Sequence, residues 1–583
     1  MDKRWLLKKP ASQQQIAKLI QEVGVSRPIA NIMALRGIKT FDDARNFFRP
    51  DLKNLHDPFK MKNMSAAVDR IERAIAAQEN ILIYGDYDVD GTTAVSLVFD
   101  YLTRNYGQIG YYIPDRYAEG YGISDLGVDF AIDNSFSLVI ALDCGIKEVE
   151  KISRAVDNGV DFIVCDHHTP GAELPPAIIL NPKQTDCKYP FKELSGCGVG
   201  FKLVQALNQI RGRSFDEIYS LLDLVMVSIG ADIVSMNGEN RILAYHGLEV
   251  LNKKPRLGFS KLLQLANKTG VLNITDVVFI LAPRINAAGR IASGNKAVEL
   301  LLAKTFDEVD QISIDINAHN ETRKGLDKEI TAEALEIIAA DDWMKNAKST
   351  LVFNSNWHKG VVGIVASRLT ENYYRPTIVL TESNGLAVGS ARSVQGFNIY
   401  DAIDQCSDLL EQFGGHNFAA GMTLKLENVD AFRIKFNDVV SATIPENLLT
   451  PEIQIDDEIT FRDIYENTPG GVPKFYRVLN QMAPFGPDNM RPVFISRQVK
   501  ILPNSRLLKD EHLKLVLVQE DYPEIIVDAV GFGMAAKWAA INPEKNPHQK
   551  IDLVYTIEEN TWNGNTNLQL MIRDLKVSVV GNR

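Results

Sequence analysis

Three aspartates alternate in the run Gly85-Asp86-Tyr87-Asp88-Val89-Asp90-Gly91-Thr92-Thr93. In an extended loop that alternation points Asp86, Asp88 and Asp90 to a common side. Hard divalent cations take such oxygen ligands. A calcium loop of the EF-hand type is disfavoured: counting from Asp86, Gly91 fits the sixth position, but Leu97 stands where a bidentate Glu is needed. The plain alternative is a solvated loop. A second acidic residue, Asp143, closes an apolar run, and Asp166-His167-His168 closes another. A lone Asp in such a place is usually a helix cap, and a lone His pair has no special meaning. Asp232 sits in the apolar stretch "SIGADIV". A buried carboxylate there needs a partner or a metal.

Asp and His ligands without Cys suit magnesium or manganese, and the imidazoles lean toward manganese. Two such ions about 3.5–4 Å apart can activate water and hold both sides of an in-line phosphoryl displacement. No nucleophilic side chain is then required, and the chain has neither a GxxxxGK[ST] nor a GxSxG motif.

These groups need a scaffold that brings them together. Ile81–Tyr84, Ile109–Ile113, Leu138–Leu142, Phe162–Cys165 and Ala177–Leu180 read as strands. Thr92–Thr103, Ser124–Asp133 and Lys147–Asn158 read as the helices between them. That alternation implies a parallel sheet with right-handed crossovers. Ligands of such sheets bind where the strands end at their carboxyl side. Three strand ends would therefore deliver Asp86/Asp88/Asp90, Asp143 and Asp166/His167/His168 to one crevice. Residues 215–234 read as one buried helix. Residues 305–340 read as a linker helix. A second α/β unit starts near Ser349, with "DAIDQCSDLLEQFGG" as a helix ending at Gly. Five strand candidates, at 492–502, 512–518, 525–532, 551–557 and 568–577, suit a small barrel of the OB type.

The 583 residues are too many for one core. Five cysteines, with no CxxC pair, read as reduced thiols of a cytoplasmic protein. The N-terminus has no apolar signal core, and no apolar stretch is long enough for a membrane span. The net charge of −11 argues mildly against a nucleic-acid partner. It averages over domains, however, and a basic channel can sit on an acidic body.

The motifs "GDYDVDGTTA", "LDCGI", "DHHTP" and "GADIV" resemble the four motifs of the DHH phosphoesterases. The resemblance implies an α/β fold: a parallel-sheet DHH domain, a long helical linker, a smaller α/β DHH-associated domain and a C-terminal OB-like β-barrel. The corresponding spans are 76–300, 301–345, 346–450 and 451–583, after an N-terminal helical segment over 1–75. It implies two Mn2+ or Mg2+ ions held by Asp86, Asp88, Asp90, Asp143, His167 and Asp232, with Asp143 bridging. His168, Asp166 and Asp86 are the implied catalytic groups, His168 touching the scissile phosphate. Simpler members of the family carry a His at the position of Tyr84, so the first ion's ligand set differs here. "LAPRINAAGR", "WHKG", "GSARS" and "FGGHNFAAGMTL" imply substrate contacts at Arg284, Asn286, Arg290, His358, Ser390, Arg392, Gly414, Gly415 and His416. The barrel and linker favour the single-strand exonuclease members. These degrade single-stranded DNA from the 5′ end to mononucleotides in repair and recombination. Such an enzyme is expected to be a monomer, with a single-strand DNA-binding protein and a RecQ-type helicase as partners. The alternatives are a phosphodiesterase of short oligonucleotides or cyclic dinucleotides, and a non-catalytic replication scaffold.

Overall fold

The computed structural model describes residues 2–291, 293–465, 472–562 and 565–578. They form two compact units, one made of His56–Val234 with Gly238–Pro451. The other joins the residues up to Leu55, Ser235–Asn237, and the chain from Glu452 on.

In the first unit the strands are β1 (Ile81–Gly85), β2 (Ile109–Tyr112), β3 (Leu138–Leu142), β4 (Asp161–Cys165) and β5 (Ile178–Leu180). They run parallel in the order β2-β1-β3-β4-β5. Every residue of β1 and β3 is buried. Central strands of a sheet covered on both faces have no solvent side, hence their unbroken apolar runs. The register pairs Gly85 with Leu142 and Leu142 with Cys165. Asp86, Asp143 and Asp166 therefore leave the sheet side by side. The chain runs outward from β1 to β2, then returns to β3 on the other flank, so the β1/β3 edge is a topological switch point with a crevice above it.

The helices that matter to the crevice are α1 (Val89–Thr103), α2 (Asp125–Asp133), α3 (Val149–Asp157), α4 (Gly196–Ile210), α5 (Leu222–Ala231) and α6 (Ala282–Ile291). The acidic run after β1 is not an extended loop. Asp88 caps α1, its Oδ1 accepting from the Gly91 amide at 3.0 Å, and Asp90 already lies in the first turn. Capping satisfies orphan helix amides, and that outweighs extension here. The single helix expected over 215–234 is broken into Asp216–Tyr219 and α5. Helix α5 is buried almost throughout and stops at Asp232.

Thr305 caps the long helix α7 (Phe306–Ala340) through a capping box with Glu308. Beyond it come β6 (Thr350–Phe353), helix α8 (Val362–Tyr373), β7 (Thr377–Ser383), β8 (Leu386–Arg392), β9 (Gln412–His416) and β10 (Ala419–Lys425). They order as β9-β10-β8-β7-β6, with only β6 and β7 parallel. One face packs on Phe432 and Phe436, the other on α8 and on Ile330, Ala334 and Ile338 of α7. The helix expected to run from Asp401 to Gly415 ends at Asp404, and a 3-10 turn leads into β9. Gly415 explains the switch: at φ +153° a Cβ would lie 2.4 Å from the Ala419 carbonyl oxygen, so the hairpin β9–β10 needs glycine there.

In the second unit, β11 (Phe494–Ile501), β12 (His512–Gln519), β13 (Tyr522–Gly531), β14 (Lys550–Trp562) and β15 (Asn565–Val577) pair in a ring. The closed five-stranded barrel is of the expected type. The strand Arg4–Leu7 pairs in parallel with Glu452–Ile455, so of the N-terminal segment 1–75 the residues up to Leu55 belong to the barrel's unit, while those from His56 on belong to the first. Phe461, Phe475 and Tyr476 are core. The side chain of Trp562 falls outside the described residues. No helix among the described residues is long and apolar enough to cross a membrane.

Candidate metal centre and its cleft

Asp90 is buried and tightly held. Its carboxylate accepts from the Gly196 and Cys197 amides at 2.7 Å each, and from the Ser228 hydroxyl at 2.6 Å. The two amides open α4, whose N-terminus favours negative charge. Close approach is possible because residue 196 is glycine; a Cβ there would lie 2.4 Å from Asp143 Oδ1. Asp143 is itself in the left-handed region at φ +60°. That costly conformation is found where a fold aims a side chain at a site.

His167 Nε2 is 3.2 Å from Asp143 Oδ1, 3.6 Å from Asp232 Oδ2 and 3.8 Å from Asp90 Oδ2. Two sets of donor atoms cluster: Asp90, His167 and Asp232, and Asp143, His167 and His168. Burial and the neighbouring carboxylates push Asp86, Asp88, Asp143 and Asp232 above the usual carboxylate range. Burial lowers His167, which leaves its imidazole neutral. Among the described residues, Asp86 Oδ2, Asp143 Oδ1 and His167 Nδ1 are buried without a hydrogen-bond partner. Mutually repelling carboxylates with orphaned oxygens, beside a neutral imidazole, fit a cation. The donor set of O and N atoms without Cys fits a hard divalent one.

Asp166 differs. Burial opposes its ionisation, but the His168 ring at 2.7 Å and the His167 and His168 amides outweigh that, holding it at about 2. In turn the Asp166 charge raises His168 against the effect of burial. The other ring nitrogen of His168, Nε2, meets the Tyr121 hydroxyl at 3.2 Å, and its ring stacks on His416 with centroids 6.5 Å apart. His416, on β9, thus comes to the mouth of the crevice from the second α/β layer of the same unit.

The opposite wall is cationic. Arg116 lies 4.0 Å over the Tyr87 ring. Arg290, on α6, is lowered to about 10 by burial and by Arg116, Arg392 and Arg323 around it. Arg392 Nη1 donates to Ser390 Oγ at 2.6 Å. Closely set guanidiniums make a place for phosphate.

Residues 80–229 match the DHH family, N-terminal domain; 346–442 match the DHHA1 domain; 455–574 match the RecJ OB domain. The chain is 37% identical over 586 residues to the single-stranded-DNA-specific exonuclease RecJ of Bacillus subtilis, covering 99% of this chain and 71% of that one. It is 31% identical to the Salmonella typhimurium exonuclease of the same name, over 94% and 95% of the two chains. The chain belongs to the RecJ family. The crystal structure of RecJ from Thermus thermophilus in complex with Mn2+ superposes with a TM-score of 0.82 at 26% identity, over 98% of this chain and 79% of that one.

Within this RecJ-family cleft the expected residues part company. Asp90, Asp143, His167, His168 and Asp232 converge, and Asp86 and Asp88 adjoin them electrostatically. Arg392 acts on Arg290 and holds Ser390, and His416 stacks on His168. Gly414 and Gly415 line the β9 edge that presents His416. Arg284 is not brought there: it donates to the Ile280 carbonyl and to Asn317 on α7, so it ties α6 to the linker helix. Asn286 Oδ1 is buried without a partner. His358 lines a separate recess with Tyr117. Tyr84 does not offer its hydroxyl as a ligand: it donates to the Gly122 carbonyl and accepts from the Ser124 amide. Sequence reasoning passed over Ser228, Arg116 and Tyr121. Ser228 stands one helical turn before Asp232, a polar residue in an apolar helix, and that spacing was the available signal.

Proposed function

We propose that this chain hydrolyses single-stranded DNA from its 5′ end and releases mononucleotides, with Mn2+ or Mg2+ held by Asp86, Asp88, Asp90, Asp143, His167 and Asp232. The observation that carries the reading is the convergence of orphaned, buried donor atoms at the β1/β3 switch point, opposite a wall of arginines, in a RecJ-family chain. A divalent ion there supplies Lewis acidity for phosphodiester hydrolysis. The chain's own groups do the rest. Asp90 is fixed by three donors, so its carboxylate is preorganised. Asp166 favours the protonated form of His168 and orients its ring, and His168 in that form would donate to a non-bridging phosphate oxygen. Arg290 and Arg392 neutralise the phosphate at the strand end, while Tyr87 and Tyr121 offer rings to the terminal nucleotides.

The domains that serve it are the catalytic span 76–300, the linker 301–345, the substrate layer 346–450 and the barrel 451–583, an OB-type single-strand binder. Such an enzyme works in repair and recombination in the cytoplasm, as a monomer, with a single-strand DNA-binding protein and a RecQ-type helicase as partners. The test is hydrolysis of a long single strand with Mn2+, with and without chelator. Digestion that chelation stops and Mn2+ restores is expected. An inert long strand, with cleavage confined to oligomers of a few nucleotides, overturns the proposal in favour of a small-substrate phosphodiesterase.

A further inference from the structure

Beside the arginine wall lies a recess of about 320 Å³ lined by Tyr117, His358, Lys359, Ser383 and Asn384. It is bounded by a firm frame. The Tyr117 hydroxyl donates to the Arg290 carbonyl, and Arg290 Nη1 donates to the Gly360 carbonyl at 3.0 Å. Tyr117 shares its loop with Arg116 and Tyr121, so the recess and the metal cleft are neighbours on one segment.

The lining is rich in donors. The Gly360 amide donates to His358 Nδ1 at 3.1 Å, which places the ring proton on Nε2. Lys359 Nζ sits 5.1 Å from the Tyr117 ring centroid. The side chains of Lys359, Ser383 and Asn384 have no hydrogen-bond partner among the described residues. No acidic side chain lines the recess, in a chain of net charge −11. Two aromatic rings, Tyr117 and His358, stand perpendicular with centroids 6.3 Å apart and offer a face to a base. The Asn384 amide can both donate and accept, as a base edge requires. The volume lies at the small end of ligand pockets, enough for one nucleotide.

We propose that this recess binds a nucleoside monophosphate, distinct from the strand-end phosphate at the arginines. The proposal rests on the exonuclease reading, since that ligand is the class its reaction releases. The phosphate meets Lys359, His358 Nε2–H and Ser383, and the base meets Asn384 and the rings. The recess then holds product after scission and gives the enzyme inhibition by mononucleotide.

The experiment is calorimetric titration of dTMP into full-length Arg392→Ala protein in EDTA, which takes Arg392 out of the arginine wall and strips divalent ions from the metal centre. One bound dTMP is expected, with affinity falling at least tenfold when Lys359→Glu or Asn384→Gly is added. Asn384 is at φ +55°, where glycine is tolerated, so that variant keeps its fold. No binding in the Arg392→Ala protein overturns the proposal. So does binding indifferent to both recess substitutions, or inorganic phosphate binding as tightly as dTMP. Digestion of single-stranded DNA by the wild-type enzyme is read separately: an intact strand beside a filled recess refutes the exonuclease reading alone.

Discussion

Replacing Ser228 by Ala removes two hydrogen bonds from the centre of the site, one to Asp90 and one shared with Ser195. The hydroxyl donates to Asp90 Oδ1 at 2.6 Å and stands 2.6 Å from Ser195 Oγ, in a fully buried position. With its single proton on the carboxylate, it accepts from Ser195. A hydrogen bond to a charged group contributes about 1.5–3 kcal/mol, so the folded protein should lose about that much. The Gly196 and Cys197 amides remain, so Asp90 keeps its place but loses its lateral restraint. Groups that orient metal ligands from behind are worth about ten- to hundredfold in metal affinity, or about 1.4–2.8 kcal/mol. The assay is the rate of single-strand hydrolysis against Mn2+ concentration. Half-saturation should rise about ten- to hundredfold, with the maximal rate recovered at high Mn2+. An unchanged half-saturation refutes the reasoning; so does a lost maximal rate that Mn2+ does not restore.

Gly196→Ala sets a Cβ against Asp143 Oδ1; activity should fall at least about hundredfold, as misplaced catalytic groups do, while circular dichroism stays native. Asp166→Asn removes the charge that raises His168, leaving burial in command. The His168 titration, followed by NMR, should move to lower pH; a shift upward contradicts the assignment. Arg392→Ala should raise the KM for a 5′-phosphorylated strand more than for a 5′-hydroxyl strand, and equal effects would remove Arg392 from the strand end.

Much of this site was legible because its residues sit at strand ends. Apolar runs marked the strands, and the next residue was acidic three times over. The sheet register, which aligns Asp86, Asp143 and Asp166, is a tertiary fact that the alternation implied only in outline. The Asp88 cap was not legible, because an alternating acidic run looks alike as a loop or as the first turn of a helix. The break after Asp404 was hidden for a similar reason: the apolar period runs on to Leu410, and only the strand partner β10 decides that Gln412–His416 is extended. Arg116 and Tyr121 lie in an aperiodic loop, so their approach to the cleft had no sequence signature. Arg284 was misplaced because "PRINAAGR" is helical, and positions 284 and 290, six apart, point to different sides of α6.

The most direct test uses a long single-stranded DNA labelled at its 5′ end or its 3′ end in parallel, with Mn2+, and the Asp90→Ala protein as control. Immediate release of a labelled mononucleotide from the 5′ label is predicted, with the 3′ label still on long fragments and no release by Asp90→Ala. Release from the 3′ label first, or near-normal turnover by Asp90→Ala, would contradict the account.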